Sequence, residues 1–272
     1  DRRVLVVDLR NHGGSEHRAT MSYPEMAADL ARCLDRALGA EGEERERCVL
    51  LGHSMGAKVA MAAALGAGGG RLAARVASLV CLDMAPAAYS RVDGSLWDQN
   101  QQLLEALCAL PLGELGDRRE ADAALVNLSG CELDAGLRAF ALSNLEHAGD
   151  AAGGGMRWRS NIRAIGAALP QIAGFDLGQG EEAPASAALG ASLVGRPAGT
   201  NAALRPFARG DALFVGGGES RYVRAKHLRE IEALFPRFAV QTIPGVGHWM
   251  HAEAPDETIR VVRAFLDRDE AE

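Results

Sequence analysis

Apolar residues along this chain keep two alternating rhythms. Short, mostly apolar runs at 4–7, 48–51, Val76–Leu82, 212–215 and Phe238–Ile243 read as buried strands, most of them ending at a Gly or Asp. Elsewhere apolar residues recur every three or four positions. Met26, Leu30, Cys33, Leu34 and Ala37 form one helical stripe, opened by Ser22 and Glu25 at capping-box spacing with Pro24 in the first turn. Residues 56–65 read as a helix of small side chains. Val223, Leu228, Ile231, Leu234 and Phe235 make an amphipathic helix stopped by Pro236. Pro255 opens a closing helix carrying Ile259, Val262, Phe265 and Leu266. Strands alternating with helices predict an α/β protein with a mostly parallel sheet covered by helices on both sides.

Between Pro86 and Pro170 the rhythm is helical throughout. Leu103, Leu104, Leu107 and Leu110 are spaced that way, as are Leu137, Phe140, Ala141 and Leu145, and the stretch 162–169. Because this block interrupts the strand sequence, it reads as a helical cap. The chain then divides into a first core segment (1–85), the cap (86–172), an insertion (173–209) and a second core segment (210–272). The insertion is Gly, Ala, Ser and Pro with few large apolar residues, the composition of a flexible segment. The charged run at 41–47 reads as a solvated loop.

Composition narrows the function classes. The 272 residues are enough for one large domain, and 48% hydrophobic with 24% charged residues is ordinary globular usage. A net charge of -7 argues against a nucleic-acid partner, and 5% aromatics leave little for stacking platforms. The five cysteines, Cys33, Cys48, Cys81, Cys108 and Cys131, include no CxxC pair. That predicts neither a disulfide framework nor a zinc site, and points to a reducing compartment. No apolar run approaches transmembrane length, and no signal peptide is visible in a chain that opens at Asp1.

The chemistry centres on Gly52-His53-Ser54-Met55-Gly56. A Ser between two glycines is common; one that follows an apolar strand and opens a helix has the setting of a nucleophile elbow. The tight turn lifts the Ser54 hydroxyl clear of the sheet. Gly52 and Gly56 are expected to be needed because side chains there would collide with their surroundings. The helix N-terminus offers the Met55 N–H to a developing oxyanion. A serine hydroxyl is a poor nucleophile without a base. His248, in Gly245-Val246-Gly247-His248-Trp249 between the last strand and the last helix, is the best candidate. His251 reads as a packing residue, His53 as support for the elbow, and His227 and His147 as structural; His12 and His17 lie in the first loop. A metal site of His248, His251 and Glu253 would leave Ser54 unexplained, and no metal or cofactor is expected. The acid has two candidates. Asp83 ends the strand Val76–Leu82, at the sheet edge where catalytic groups gather. Glu219 follows the strand at 212–215, in Gly216-Gly217-Gly218-Glu219-Ser220.

Several motifs together resemble one family: Val6-Val7-Asp8-Leu9-Arg10-Asn11-His12-Gly13, Met21-Ser22-Tyr23, Gly52-His53-Ser54-Met55-Gly56-Ala57-Lys58, Asp83-Met84-Ala85-Pro86, Gly217-Gly218-Glu219-Ser220-Arg221-Tyr222-Val223 and Gly247-His248-Trp249-Met250-His251-Ala252-Glu253. They are similar to the α/β-hydrolase domain-containing protein 11 family and its small bacterial esterase relatives. The resemblance spans nearly the whole chain apart from the insertion. It implies the α/β-hydrolase fold, hydrolysis of acyl esters or thioesters, and a mitochondrial location in eukaryotes or a cytoplasmic one in bacteria. It supports Asp83 as the acid, with Ser220 as a helper near the histidine. Another acid proposed in the family falls in the last cap helix, where 161–164 holds no carboxylate. The family's sheet also places strands, and a loop bearing a second oxyanion donor, ahead of residue 1. The chain is therefore expected to be a piece of a longer product with its first strands missing, poorly stable and nearly inactive alone, with residues 4–7 unpaired with 48–51 or displaced.

The leading expectation is a cofactor-free serine hydrolase acting through Ser54, His248 and Asp83. A catalytically silent binding or stabilising protein keeps the same fold, and C–C hydrolases and perhydrolases share the same triad.

Overall fold

A computed structural model describes residues 2–38, 47–89, 97–129, 133–149, 154–177 and 205–268. The charged run up to residue 46, Cys131 and the 178–204 part of the insertion lie outside the described residues. In chain order the elements are α1 (Tyr23–Leu38), β1 (Cys48–His53), α2 (Met55–Ala64), α3 (Gly70–Arg75), β2 (Val76–Leu82), α4 (Trp97–Ala109), α5 (Arg118–Ser129), α6 (Ala135–Leu142), β3 (Leu145–His147), β4 (Met156–Trp158), α7 (Ile162–Ala173), β5 (Ala212–Gly217), α8 (Leu228–Leu234), β6 (Phe238–Ile243), α9 (Met250–Glu253) and α10 (Pro255–Leu266). They fall into two compact units, Asp1–Ser22 with Tyr89–Ala173, and Tyr23–Ala88 with Gly174–Glu272.

The second unit holds a parallel sheet in the order β1-β2-β5-β6. Strand β2 is buried along nearly its whole length, and β5 along all of it, as predominantly apolar runs require when both faces are covered. Val80, Leu82, Leu213, Val215 and Ile243 pack with Val261 and Phe265 of α10 and with Met250 of α9. Helix α2 has small residues that allow close approach to the sheet, and eight of its residues are buried, Lys58 among them. Strand β1 ends the sheet, and its Leu51 is 53% exposed. Helix α3 carries no clear apolar period and was not anticipated. The described ends of the insertion are packed: Phe175, Leu177 and Phe207 are all buried.

The strand that the composition of residues 4–7 suggests does not form, in keeping with the expectation that this run is unpaired with 48–51, and one further strand assignment differs from the sequence pattern. Residues 4–7 belong to no ladder, and Val4 and Val6 are 80% and 87% exposed. An apolar run becomes a strand only when a neighbour accepts its hydrogen bonds and covers its faces. In the unit that also holds residues 4–7, the predicted all-helical block contains an antiparallel hairpin, β3 with β4. Helix α6 stops at Leu142, where Ser143 caps it by donating its N–H to Ala139 O and its hydroxyl to Phe140 O. Leu145 therefore continues as strand, and Phe140 is exposed. The strands are three residues each, too short for a period of two to stand out. The core of this unit joins Leu103 and Leu107 of α4, and Leu110 just after it, to Leu125, Leu142, Leu145 and Met156. Asn161 caps α7 by accepting the Ala164 N–H, and its own N–H donates to Asn11 O at 2.8 Å. The carboxylate-free stretch at 161–164 is thus a helix start.

Candidate active site

Ser54 sits between β1 and α2 with φ 54° and ψ -122°, a left-handed conformation that L residues avoid. Its N–H donates to Leu82 O at 3.0 Å, and its carbonyl accepts from Ala57 and Lys58. The turn is this tight because Gly52 lacks a side chain: a Cβ there would lie 2.3 Å from the carbonyl of Gly56. The expectation for Gly56 itself needs correction, since a Cβ at that position meets nothing within 4 Å. What matters at residue 56 is its backbone, against which Gly52 packs. Among the described residues the Met55 N–H, first in α2, has no hydrogen-bond partner and is free to donate to an anion.

The structure brings Ser54, His248 and Asp83 into one hydrogen-bonded chain. Ser54 Oγ lies 3.0 Å from His248 Nε2, and His248 Nδ1 lies 2.7 Å from Asp83 Oδ2. A carboxylate only accepts, so Nδ1 carries the proton and Nε2 is left as the acceptor for the Ser54 hydroxyl. Asp83 is fully buried and also takes a left-handed φ of 48° at the end of β2. Its carboxylate is met by three donors: His248, the Gly217 N–H at 3.0 Å, and the Ser220 hydroxyl, which shares Oδ2 with the imidazole. A buried charge is tolerated when its acceptor sites are filled in this way. Glu219, the other acid candidate, is exposed, and its N–H donates to Val246 O at 2.9 Å. Glu219 thus steadies the loop before His248 through its backbone.

The His53 ring lies 4.6 Å from the His248 ring, tilted by 41°, and its Nε2 donates to the His248 carbonyl at 2.8 Å. Burial, reinforced by the neighbouring His248, pushes its pKa down to about 4, so His53 is a neutral donor at ordinary pH. His251 is exposed and sets its ring edge against His53 at 4.6 Å. His227 is buried, and its Nδ1 accepts the Arg224 N–H. His12 and His17 bond the carbonyls of Arg10 and Arg159. Among the described residues, no group of three His, Cys, Asp or Glu is placed to hold a metal ion. Two contacts were not read from the sequence, although both residues lie in one of its family-like motifs. Tyr222 lies 4.4 Å from the His248 ring, and the Gly217 N–H is bonded to Asp83. Both depend on loops from different strands meeting.

Residues 1–261 match the Alpha/beta hydrolase family, and the chain belongs to it. It is 34% identical over 266 residues to the sn-1-specific diacylglycerol lipase ABHD11 of Mus musculus, covering 97% of this chain and 72% of that protein. It is 27% identical over 267 residues to esterase YbfF of Escherichia coli (strain K12), covering 98% of this chain and 84% of that one. Among solved structures, a marine microorganism esterase superposes with a TM-score of 0.73 at 28% identity, over 95% of this chain and 82% of that one. These relatives are of the kind the motifs pointed to. Among the described residues, no helix is long and apolar enough to cross a membrane.

Proposed function

We propose that this protein is a serine hydrolase of acyl esters, thioesters included, and that Ser54, His248 and Asp83 are its catalytic residues. The observation that carries the reading is the unbroken hydrogen-bonded chain from Ser54 Oγ through His248 to Asp83. His248 takes the hydroxyl proton as Ser54 attacks the acyl carbonyl, then gives it to the leaving oxygen or sulfur. Asp83 keeps the imidazole in the tautomer that accepts from Ser54 and stabilises the imidazolium that forms. The Met55 N–H meets the oxyanion, and water activated by His248 releases the acyl group. The mouse relative's name makes acylglycerols natural first substrates to try. Cys33, Cys48, Cys81 and Cys108 are free thiols, and the setting proposed for them is a reducing compartment, mitochondrial in a eukaryote or cytoplasmic in a bacterium.

The test is fluorophosphonate labelling of the full-length protein together with a chain-length series of p-nitrophenyl esters. Labelling should occur at Ser54 and disappear in Ser54→Ala along with turnover. Labelling that persists at another residue, or a folded protein with no turnover on any ester, overturns the proposal; the second outcome describes a binding protein that kept the fold.

A further inference from the structure

The loop that carries His248 is held from outside the hydrogen-bonded chain by a carboxylate four to six residues further along, Glu253. One oxygen, Oε2, accepts the Gly247 N–H at 2.6 Å, and the other, Oε1, accepts the Trp249 N–H at 3.0 Å. The two amides flank His248. An exposed carboxylate ordinarily stays solvated, because fixing its side chain costs rotamer entropy. Using both oxygens on the two backbone donors either side of His248 offsets that cost with two charge-assisted bonds. Gly247 leaves the space this needs: a Cβ there would stand 3.0 and 3.1 Å from the two carboxylate oxygens.

The base of this clamp is rigid. The Glu253 N–H donates back to Trp249 O at 2.9 Å, so the side chain and backbone of Glu253 both grip Trp249. The Thr258 hydroxyl is within 3.0 Å of Met250 O and 2.9 Å of Ala254 O, tying α9 to α10, and α10 is anchored in the core by Val261 and Phe265. Meanwhile His53 Nε2 holds the His248 carbonyl at 2.8 Å. The peptide unit joining His248 to Trp249 is therefore gripped at both ends, its oxygen by His53 and its N–H by Glu253. Because a peptide is planar, fixing both ends fixes the plane, and with it the direction in which the His248 side chain leaves the backbone.

We infer that Glu253 is a positioning residue: with His53 it sets the His248 imidazole on the line between Ser54 and Asp83. The inference rests on the reading of His248 as the base. A displacement of about 1 Å at a catalytic group can cost on the order of 100-fold in rate. The experiment compares Glu253→Ala, Glu253→Gln and His248→Ala in the full-length protein with p-nitrophenyl butyrate, alongside urea melts. Glu253→Ala should lose about 10- to 100-fold in kcat with KM within about twofold of wild type and a cooperative melt. Glu253→Gln keeps one acceptor oxygen and should fall between the two; it carries the comparison if the alanine variant melts without cooperativity. A kcat within about twofold of wild type in the folded variants, or a loss confined to KM, overturns the inference. Wild-type turnover in His248→Ala would instead overturn the reading of the base.

Discussion

Lys58 is among the largest fully buried side chains of the described residues, at 1% exposure, four residues after Ser54 on α2. Its Nζ donates to Gly174 O at 2.7 Å and lies 5.7 Å from the centre of the Tyr23 ring. Burial lowers its pKa from 10.5 to about 7. The unfolded chain, with an ordinary lysine, stays protonated to about pH 10. Between about pH 7 and pH 10 it therefore holds a proton that the folded protein has released, and folding stability rises with pH through that window. Below about pH 7 both states are charged and the full cost of burying the ammonium is borne. From about pH 6 to pH 9 the excess proton integrates to about two pH units, which at about 1.4 kcal/mol each gives roughly 3 kcal/mol of added stability. Lys58→Met removes this slope whatever its effect at a single pH, where loss of the bond to Gly174 and relief of the buried charge oppose each other. Urea unfolding of wild type and Lys58→Met at half-unit steps from about pH 6 to pH 9 measures it. The wild-type free energy should climb by roughly 3 kcal/mol relative to the variant. Curves that run parallel within about 0.5 kcal/mol would mean that Lys58 keeps its proton in the fold, and the reasoning fails.

Three further outcomes are expected. Asp83→Asn should lower kcat by about 10,000-fold by misdirecting the imidazole, while Glu219→Gln should change it less than about twofold; the reverse order would move the acid role to Glu219. Gly52→Ala should destabilise by at least about 3 kcal/mol, read as a urea midpoint shift, because its Cβ would meet rigid backbone; Gly56→Ala should be mild. His53 keeps a depressed pKa, so the unfolded chain binds the extra proton between its ordinary value and about 4, and stability falls as pH drops through that window. His53→Gln should flatten this acid loss in melts between about pH 7 and pH 4, and an unchanged acid limb would contradict the burial argument.

Much of this protein is written locally. The elbow at Ser54 is legible because its requirements are local: a strand, a glycine where a backbone must approach, a serine, and a helix start follow one another in five residues. His248 is legible from its position between the last strand and last helix. The parallel sheet follows from apolar runs that alternate with helical stripes, since each such run must be covered on both faces. What escaped the sequence has a common cause. Residues 4–7 have the composition of a strand, yet pairing is a property of the neighbour and not of the run. Leu145 fits a helical stripe, yet a cap at Ser143 ends the helix first. The choice between Asp83 and Glu219 was open because both follow apolar strands. Only the packed sheet decides that β2 lies beside β5, so that the Gly217 N–H and the Ser220 hydroxyl turn toward Asp83 while Glu219 faces solvent. The grip of Glu253 and His53 on one peptide likewise exists only after β1 and the loop beyond β6 have met. Composition and period act over a few residues and set the elements and the elbow at the proposed nucleophile. Hydrogen bonds between residues more than a hundred positions apart join the proposed acid Asp83 to its partners, and those bonds exist only in the folded chain.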